Sequence, residues 1–411
     1  MPTQHSTDRV QQSEPISNPA ADLAGGACRL AISQLTLTSF RNYGFERLDV
    51  TAAPVVLTGA NGAGKTNILE ALSLLTPGRG LRASPFGELA RSTSAGAAQE
   101  WGVAAQTHGP SGPVSLGTSW ISPEHSATQA SGRKVQVDGS VQKSSGVLGS
   151  YLRCIWLTPT MDRLFTGPAS DRRRFLDRLT GSFDPGHGYQ VQTFEKLMRE
   201  RNRLLDQAKQ NSAWLDGIEH QMAEAAIAIA AARRTAINAL APLLAASGAA
   251  SRGGHFPWVE IALVGGLEDS IASGSAIEAE ESYRQHLGDM RERDSAAGRT
   301  LDGPHRSDLE VIHGPKGLAA RHCSTGEQKA LLIGIILAHA RVIQAAFRGF
   351  SPILLLDEVA AHLDEYRRAG LYDEITTLGA QAWVTGTDKS PFEAFGGRAQ
   401  YFTVTDGKVR P

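Results

Sequence analysis

Residues Gly59-Ala-Asn-Gly-Ala-Gly-Lys-Thr66 constrain this chain more than any other stretch. The apolar run Pro54-Val-Val-Leu-Thr58 precedes them. Asn67 to Leu75 follow, with Ile68, Leu69, Leu72 and Leu75 at helical spacing until Pro77-Gly78 stops the pattern. Strand, G-x-x-x-x-G-K-T and helix in that order make a phosphate-binding loop in its required context. The glycines let backbone N–H groups close around phosphates, and the helix N-terminus adds positive potential. Gly59, Ala60, Asn61, Gly62, Ala63 and Gly64 are therefore expected to cradle ATP. Lys65 is expected to reach its β- and γ-phosphates, and Thr66 to place a hydroxyl on Mg²⁺.

Such a loop needs a second metal anchor, an acid at the end of a buried strand. Ile353-Leu-Leu-Leu-Asp357 supplies it at the other end of the chain, and Glu358 follows as the expected general base. The nucleotide-binding head is thus expected to be assembled from both ends, with the middle inserted. Ser324-Thr-Gly-Glu-Gln-Lys329 opens a long apolar helix ahead of the acids. It fits two readings. Ser324 with Glu327 is a capping box, and Ser324, Gly326, Glu327 and Gln328 also resemble the signature motif of ABC-type ATPases. That motif offers a helix N-terminus to the nucleotide bound by a second subunit. Ala361-His-Leu-Asp364 fits the loop that lines the dimer interface in such ATPases.

The chain has 411 residues, which corresponds to two or three domains at about 150 residues each. Forty-one basic residues against 42 acidic ones leave a net charge of -1, so basicity announces no nucleic acid. No uninterrupted run of about 18 apolar residues occurs, and no membrane span is expected. Residues 1–27 lack an apolar core, are rich in Ser, Thr, Gln, Pro and Ala, and read as a disordered leader. Three cysteines without a C-x-x-C pair suit a reduced, cytoplasmic protein.

Residues 28–158 read as short strands around the phosphate loop and form the N-terminal part of the head. Residues 159–300 read as a mainly helical arm, and 301–411 as the C-terminal part of the head. Within the arm, Asp171 to Leu179, Val191 to Gln210 and Ala213 to about Ala245 have helical patterns. The two longer helices would reach about 30 and 50 Å unless Pro242 ends the second sooner. Strand Trp258 to Val264 and a charged helix from about Ala276 to Asp294 follow. The C-terminal part carries a strand at Leu309 to Ile312, helices at about 326–347 and 365–378, and the strand Ala382 to Thr385.

Three further stretches are similar to the RecF family of bacterial recombination mediators, ABC-type ATPases related to the SMC proteins. They are Ser39-Phe-Arg-Asn-Tyr43, Gly167-Pro-Ala-Ser-Asp-Arg-Arg-Arg-Phe-Leu-Asp177 and Gly303-Pro-His-Arg-Ser-Asp308. Their order holds from about residue 30 to the end. The resemblance implies an ATP-sandwiched homodimer that clamps DNA, with weak, DNA-stimulated ATP hydrolysis as a conformational switch. It also implies a RecR-type partner, recombinase loading at gaps and stalled forks, and SOS induction downstream. Thr385-Gly-Thr387 would occupy the switch position where transporters place a histidine. The family's proline-acid pair reads Pro159-Thr-Met-Asp162 here, leaving the acidic contact either displaced or lost.

Several charged residues keep two readings. Arg172, Arg173, Arg174, Arg178, Arg201 and Arg203 sit on predicted helices, either as a solvated face or as phosphate contacts to DNA. Arg41 would touch nucleotide or pair with Glu46. His305, Arg306 and Asp308 would line the nucleotide site or shape a turn. The alternatives to a RecF-like protein are an SMC-type DNA-organising protein, a transporter's nucleotide-binding subunit and a small-molecule kinase. The short arm, the Thr385-Gly-Thr387 segment and the signature motif argue against these in turn.

Overall fold

The computed structural model describes residues 29–94, 96–125, 132–207, 212–249 and 254–411. The expected leader, residues 1–27, lies outside them. The first stretch runs through β1 (Ala31–Phe40), β2 (Tyr43–Asp49), β3 (Val55–Thr58) and α1 (Lys65–Ser73). Short strands β4 (Ser92–Thr93) and β5 (Gly96–Ala97) pair with each other. They lead to β6 (Glu100–Gly109), β7 (Gly112–Ile121), β8 (Arg133–Val137), β9 (Ser140–Gln142) and β10 (Cys154–Leu157). The inserted segment contains α2 (Ala169–Gly181), α3 (His187–Leu205), α4 (Ser212–Ala249), β11 (Val259–Val264), α5 (Gly266–Ser273), α6 (Ala276–Asp289) and α7 (Arg291–Ala297). The chain closes with β12 (Asp308–His313), β13 (Leu318–Ala319), α8 (Thr325–Ala346), β14 (Ile353–Leu356), α9 (Glu365–Leu378), β15 (Ala382–Gly386), β16 (Gln400–Thr405) and β17 (Lys408–Arg410).

Two six-stranded sheets build the head. One is antiparallel, ordered β2-β1-β6-β7-β8-β9. In β1 the alternation read from Leu35 and Leu37 is the alternation of burial, with Leu35 opposite Leu48 and Leu37 opposite Glu46 on β2. The other sheet runs β10-β14-β15-β3-β16-β17 and is parallel except for β17. All four residues of β3 are buried, as are all four of β14, because a parallel strand is covered on both faces. Strand β3 comes from the N-terminal part, yet its neighbours on either side are β15 and β16 from the C-terminal part. Gln381 staples the two sheets together. Its amide accepts from the Ile32 N–H at 2.9 Å and donates to the Ile32 and Thr51 carbonyls at 2.8 and 2.7 Å.

A second, separate core fills the arm, where Phe194, Leu197 and Leu204 of α3 meet Leu215, Ile218 and Met222 of α4 and Tyr283 of α6. Pro242 does not end α4, which continues to Ala249. Leu240 and Leu244 are buried on either side of it, and that packing outweighs the roughly 3 kcal/mol an interior proline costs. The charged helix expected to reach Asp294 breaks at Met290 into α6 and α7, and α7 ends on left-handed Gly298. Strand β11 pairs with β12, so a ladder crosses the boundary expected at residue 300. Ser212–Ala246 and Thr325–Ala346 have the length and apolarity to cross a membrane. In this fold α4 packs on α3, α6 and β11, and two thirds of the apolar window of α8 is buried in the head, as core helices require.

Candidate nucleotide site

The phosphate loop turns on Gly59, Gly62 and Gly64, whose φ angles are 144°, 83° and 118°. Two of them are also fixed by space. A Cβ on Gly59 would stand 2.2 Å from the Val404 carbonyl oxygen, and one on Gly64 would stand 2.4 Å from Asn42 Nδ2. Asn42 donates to the Ala63 carbonyl at 2.8 Å, and the Tyr43 hydroxyl donates to the Gly64 carbonyl at 3.0 Å. The β1–β2 turn therefore grips the back of the loop. Sequence reasoning missed this role for Asn42 and Tyr43, although their place in the Ser39–Tyr43 stretch was its signal.

Lys65 folds its ammonium onto the Gly59 and Ala60 carbonyls, at 2.6 and 2.9 Å. Burial pushes its pKa down, and the nearby charges of Glu358 and Asp357 oppose that. The lysine and both acids thus share one site, as expected. Asp357 is buried, and its Oδ1 accepts from Thr66 Oγ1 at 2.9 Å and from Thr385 Oγ1 at 2.7 Å. Glu358 is exposed, with its N–H donating to Thr385 Oγ1 at 2.9 Å. Thr66 and Asp357, side by side, fit a Mg²⁺ ion that takes its other ligands from phosphate and water. Among the described residues no group of three His, Cys, Asp or Glu converges to hold a metal by protein ligands alone.

The expected nucleotide contact of Arg41 is not supported, and neither is its pairing with Glu46. Its guanidinium grips Glu70 of α1 through two bonds of 2.8 Å and reaches Ser84 and the Glu88 carbonyl. Glu46 instead holds Lys408 and the Val409 N–H. Arg41 braces the helix that follows the phosphate loop.

At the start of α8 the capping box is real. Ser324 Oγ accepts from the Glu327 N–H, and the Glu327 carboxylate accepts from the Ser324 N–H. Ser324 is nonetheless exposed, and Gly326 lies beside the His362 carbonyl of the Ala361–Asp364 loop. Two other expected signature residues are engaged within the chain. Gln328 is buried and donates to the Cys323 carbonyl, while Glu327 is held by Lys316 and Ser324. The Lys316 hydrogen bond, with Ser324's, holds the Glu327 carboxyl down at about 2. Asp162 pairs with Lys329 of α8 at 3.5 Å.

The Gly167–Asp177 and Gly303–Asp308 stretches meet each other. Arg172 forms two bonds to Asp308, at 2.8 and 2.7 Å, and Arg173 donates to the Ser307 carbonyl. His305 stacks on Phe194 and bonds the Thr300 carbonyl, so it shapes the arm. Arg178 lies over Trp156 and Phe175, and burial lowers its pKa to about 10. Arg201 overturns the expectation of a DNA contact. It is 0% exposed and saturated by Glu219, Asp294, Thr300 and the Leu287 carbonyl. Its place on the apolar stripe of Phe194, Leu197 and Leu204 was the signal against exposure. Arg174, paired with Asp171, and Arg203 stay exposed. An unexpected buried network joins Asp177 to Arg233 and His187.

Comparison with known proteins agrees with this architecture. The family model described as RecF/RecN/SMC N terminal domain matches residues 31–409. The DNA replication and repair protein RecF of Mesorhizobium japonicum is 50% identical over 380 residues, covering 92% of this chain and 97% of that protein. Its namesake in Rhizobium etli strain CIAT 652 is 49% identical, covering 93% and 99%. A solved structure of the recombination mediator protein RecF-ATP in the RecFOR pathway superposes with a TM-score of 0.78 at 20% identity, covering 94% and 99%. Half identical to two such proteins over nearly its whole length, with an ABC-type ATPase head, the chain belongs to the RecF family.

Proposed function

We propose that this chain is an ATP-gated DNA-binding protein of DNA replication, recombinational repair and SOS induction, active in the cytoplasm. Two copies sandwich two ATP molecules. Each site takes Lys65, Thr66, Asp357 and Glu358 from one chain and Ser324 and Gly326 from the other. The observation that carries this reading is the convergence of Thr66, Thr385 and Lys65 on Asp357 and Glu358, together with Ser324 exposed at the head of α8. Lys65 leaves its two carbonyls for the β- and γ-phosphates. Thr66 and Asp357 hold Mg²⁺, which neutralises charge across those phosphates when bound. Glu358 takes the proton of the attacking water.

ATP acts as a ligand of the closed state. Binding closes the dimer on DNA, slow hydrolysis that DNA stimulates reopens it, and a RecR-type partner links the clamp to recombinase loading. Arg203, and Arg174 by leaving its surface pairing with Asp171, are the arginines from the initial set exposed enough to meet phosphates. Mixing two inactive variants tests the shared site. A Lys65→Ala chain with a Ser324→Arg chain leaves one intact site per mixed dimer. ATP-dependent association or hydrolysis, absent from each variant alone, is expected to return on mixing. If nothing returns, the signature does not act in trans.

A further inference from the structure

Glu358 adopts a left-handed backbone conformation, with φ at 50°, which a residue with a side chain keeps only where its surroundings hold it. Both ends of its peptide are held. The N–H donates to Thr385 Oγ1 at 2.9 Å, and Thr385 gives its own proton to Asp357 Oδ1 at 2.7 Å. The carbonyl accepts from Lys329 Nζ at 3.4 Å and from the Ala361 N–H at 3.1 Å. Thr385 is fully buried and Lys329 is 4% exposed, so neither contact competes with bulk water. The ammonium of Lys329 also lies 3.5 Å from Asp162 Oδ2, and the buried Oδ1 of that acid has no hydrogen-bond partner. Asp162 therefore depends on Lys329, and it anchors Lys329 from a second side.

We propose that Thr385 and Lys329 are positioning residues for Glu358, and that Lys329 couples the two nucleotide sites of the dimer. The proposal rests on Glu358 being the base. Lys329 stands little more than one turn after Ser324 on the same helix. In the sandwich, Ser324 serves the partner's nucleotide while Glu358 serves its own. A shift of α8 as it meets the partner's ATP is carried by Lys329 to the Glu358 carbonyl, which aims the base at the other ATP. Hydrolysis at one site then waits for closure at both.

The test uses the full chain with Lys329→Met, Lys329→Arg, Thr385→Val, Thr385→Ser and Glu358→Gln. Lys329→Met is expected to leave ATP affinity and ATP-driven dimerisation within about twofold of wild type. Its kcat is expected to fall about tenfold to a hundredfold, the scale of a misplaced catalytic group. The Hill coefficient for ATP should fall toward one. Lys329→Arg, which still donates to the carbonyl, should recover most of the turnover. Thr385→Ser should behave as wild type and Thr385→Val as Lys329→Met. A kcat within twofold of wild type in Lys329→Met, beside an inactive Glu358→Gln, overturns the clamp while leaving the base in place. Parallel losses of ATP binding and turnover in Lys329→Met, unrelieved by Lys329→Arg, overturn it as well. Wild-type turnover in Glu358→Gln removes the base itself, and the proposal with it.

Discussion

Acid is expected to loosen α8 from α2 through one side chain. His339 of α8 is 2% exposed, bonds the Ser182 hydroxyl at the end of α2 and meets Phe183 edge-on. Burial pushes its pKa from 6.5 to about 3, and the charge of Arg178 acts in the same direction. The folded protein therefore keeps a neutral ring where the unfolded chain binds a proton. Stability from this residue is complete above pH 6.5 and is lost progressively as pH falls toward 3. Each pH unit in that window costs about 1.4 kcal/mol, so about 2 kcal/mol is lost at pH 5. The assay is urea unfolding of wild type and His339→Met at pH 7 and pH 5. The other titrating groups are common to both proteins and cancel in the difference. Wild type should lose about 2 kcal/mol more than the variant between the two pH values. Equal losses would mean that His339 is protonated in the fold, and the reasoning from its burial would fail.

Two other perturbations test the site and the arm. Arg201→Met leaves Asp294 buried without its cation and Glu219 with Arg291 alone, and should cost about 3–5 kcal/mol in thermal or urea unfolding. DNA affinity per folded molecule should not change, and a specific loss of DNA binding at full stability would restore Arg201 as a contact. Gly64→Ala forces a left-handed φ on a residue with a Cβ, costing about 1–2 kcal/mol before the clash with Asn42 is counted. Fluorescent-ATP titration should find affinity reduced tenfold or more, and an unchanged affinity would mean that this loop conformation is not the one that binds.

What the sequence disclosed was local, and what it concealed was the identity of distant partners. Gly59 to Thr66 and Ile353 to Glu358 could be read because each motif carries its own strand and turn chemistry within a dozen residues. Helix α9 matched its expected bounds for the same reason, with Asp364 capping its start and Gly379 its end. The partners of Arg41 and Arg172 could not be read, since Glu70 and Asp308 are chosen by the packing of elements far apart in the chain. Strands β16 and β17 were missed because Gln400 to Thr405 is only partly apolar. Its pairing with β3, rather than its own pattern, makes it a strand. Helix α5 was missed because two glycines open an eight-residue element.

The position of β3 between β15 and β16 has a consequence for how the molecule is made. A ribosome releases Val55 to Thr58 early, but that strand has no parallel neighbour until residues 382–405 have been synthesised. At about 5–20 residues per second the interval is on the order of twenty seconds to over a minute. During that time the strand that carries the nucleotide loop is an apolar segment without a sheet, while β1, β2, β6 and β7 can already pair among themselves. A nascent chain therefore cannot complete its ATP site by halves. Truncated products that stop short of β15 carry the phosphate loop without either parallel neighbour of the strand that presents it.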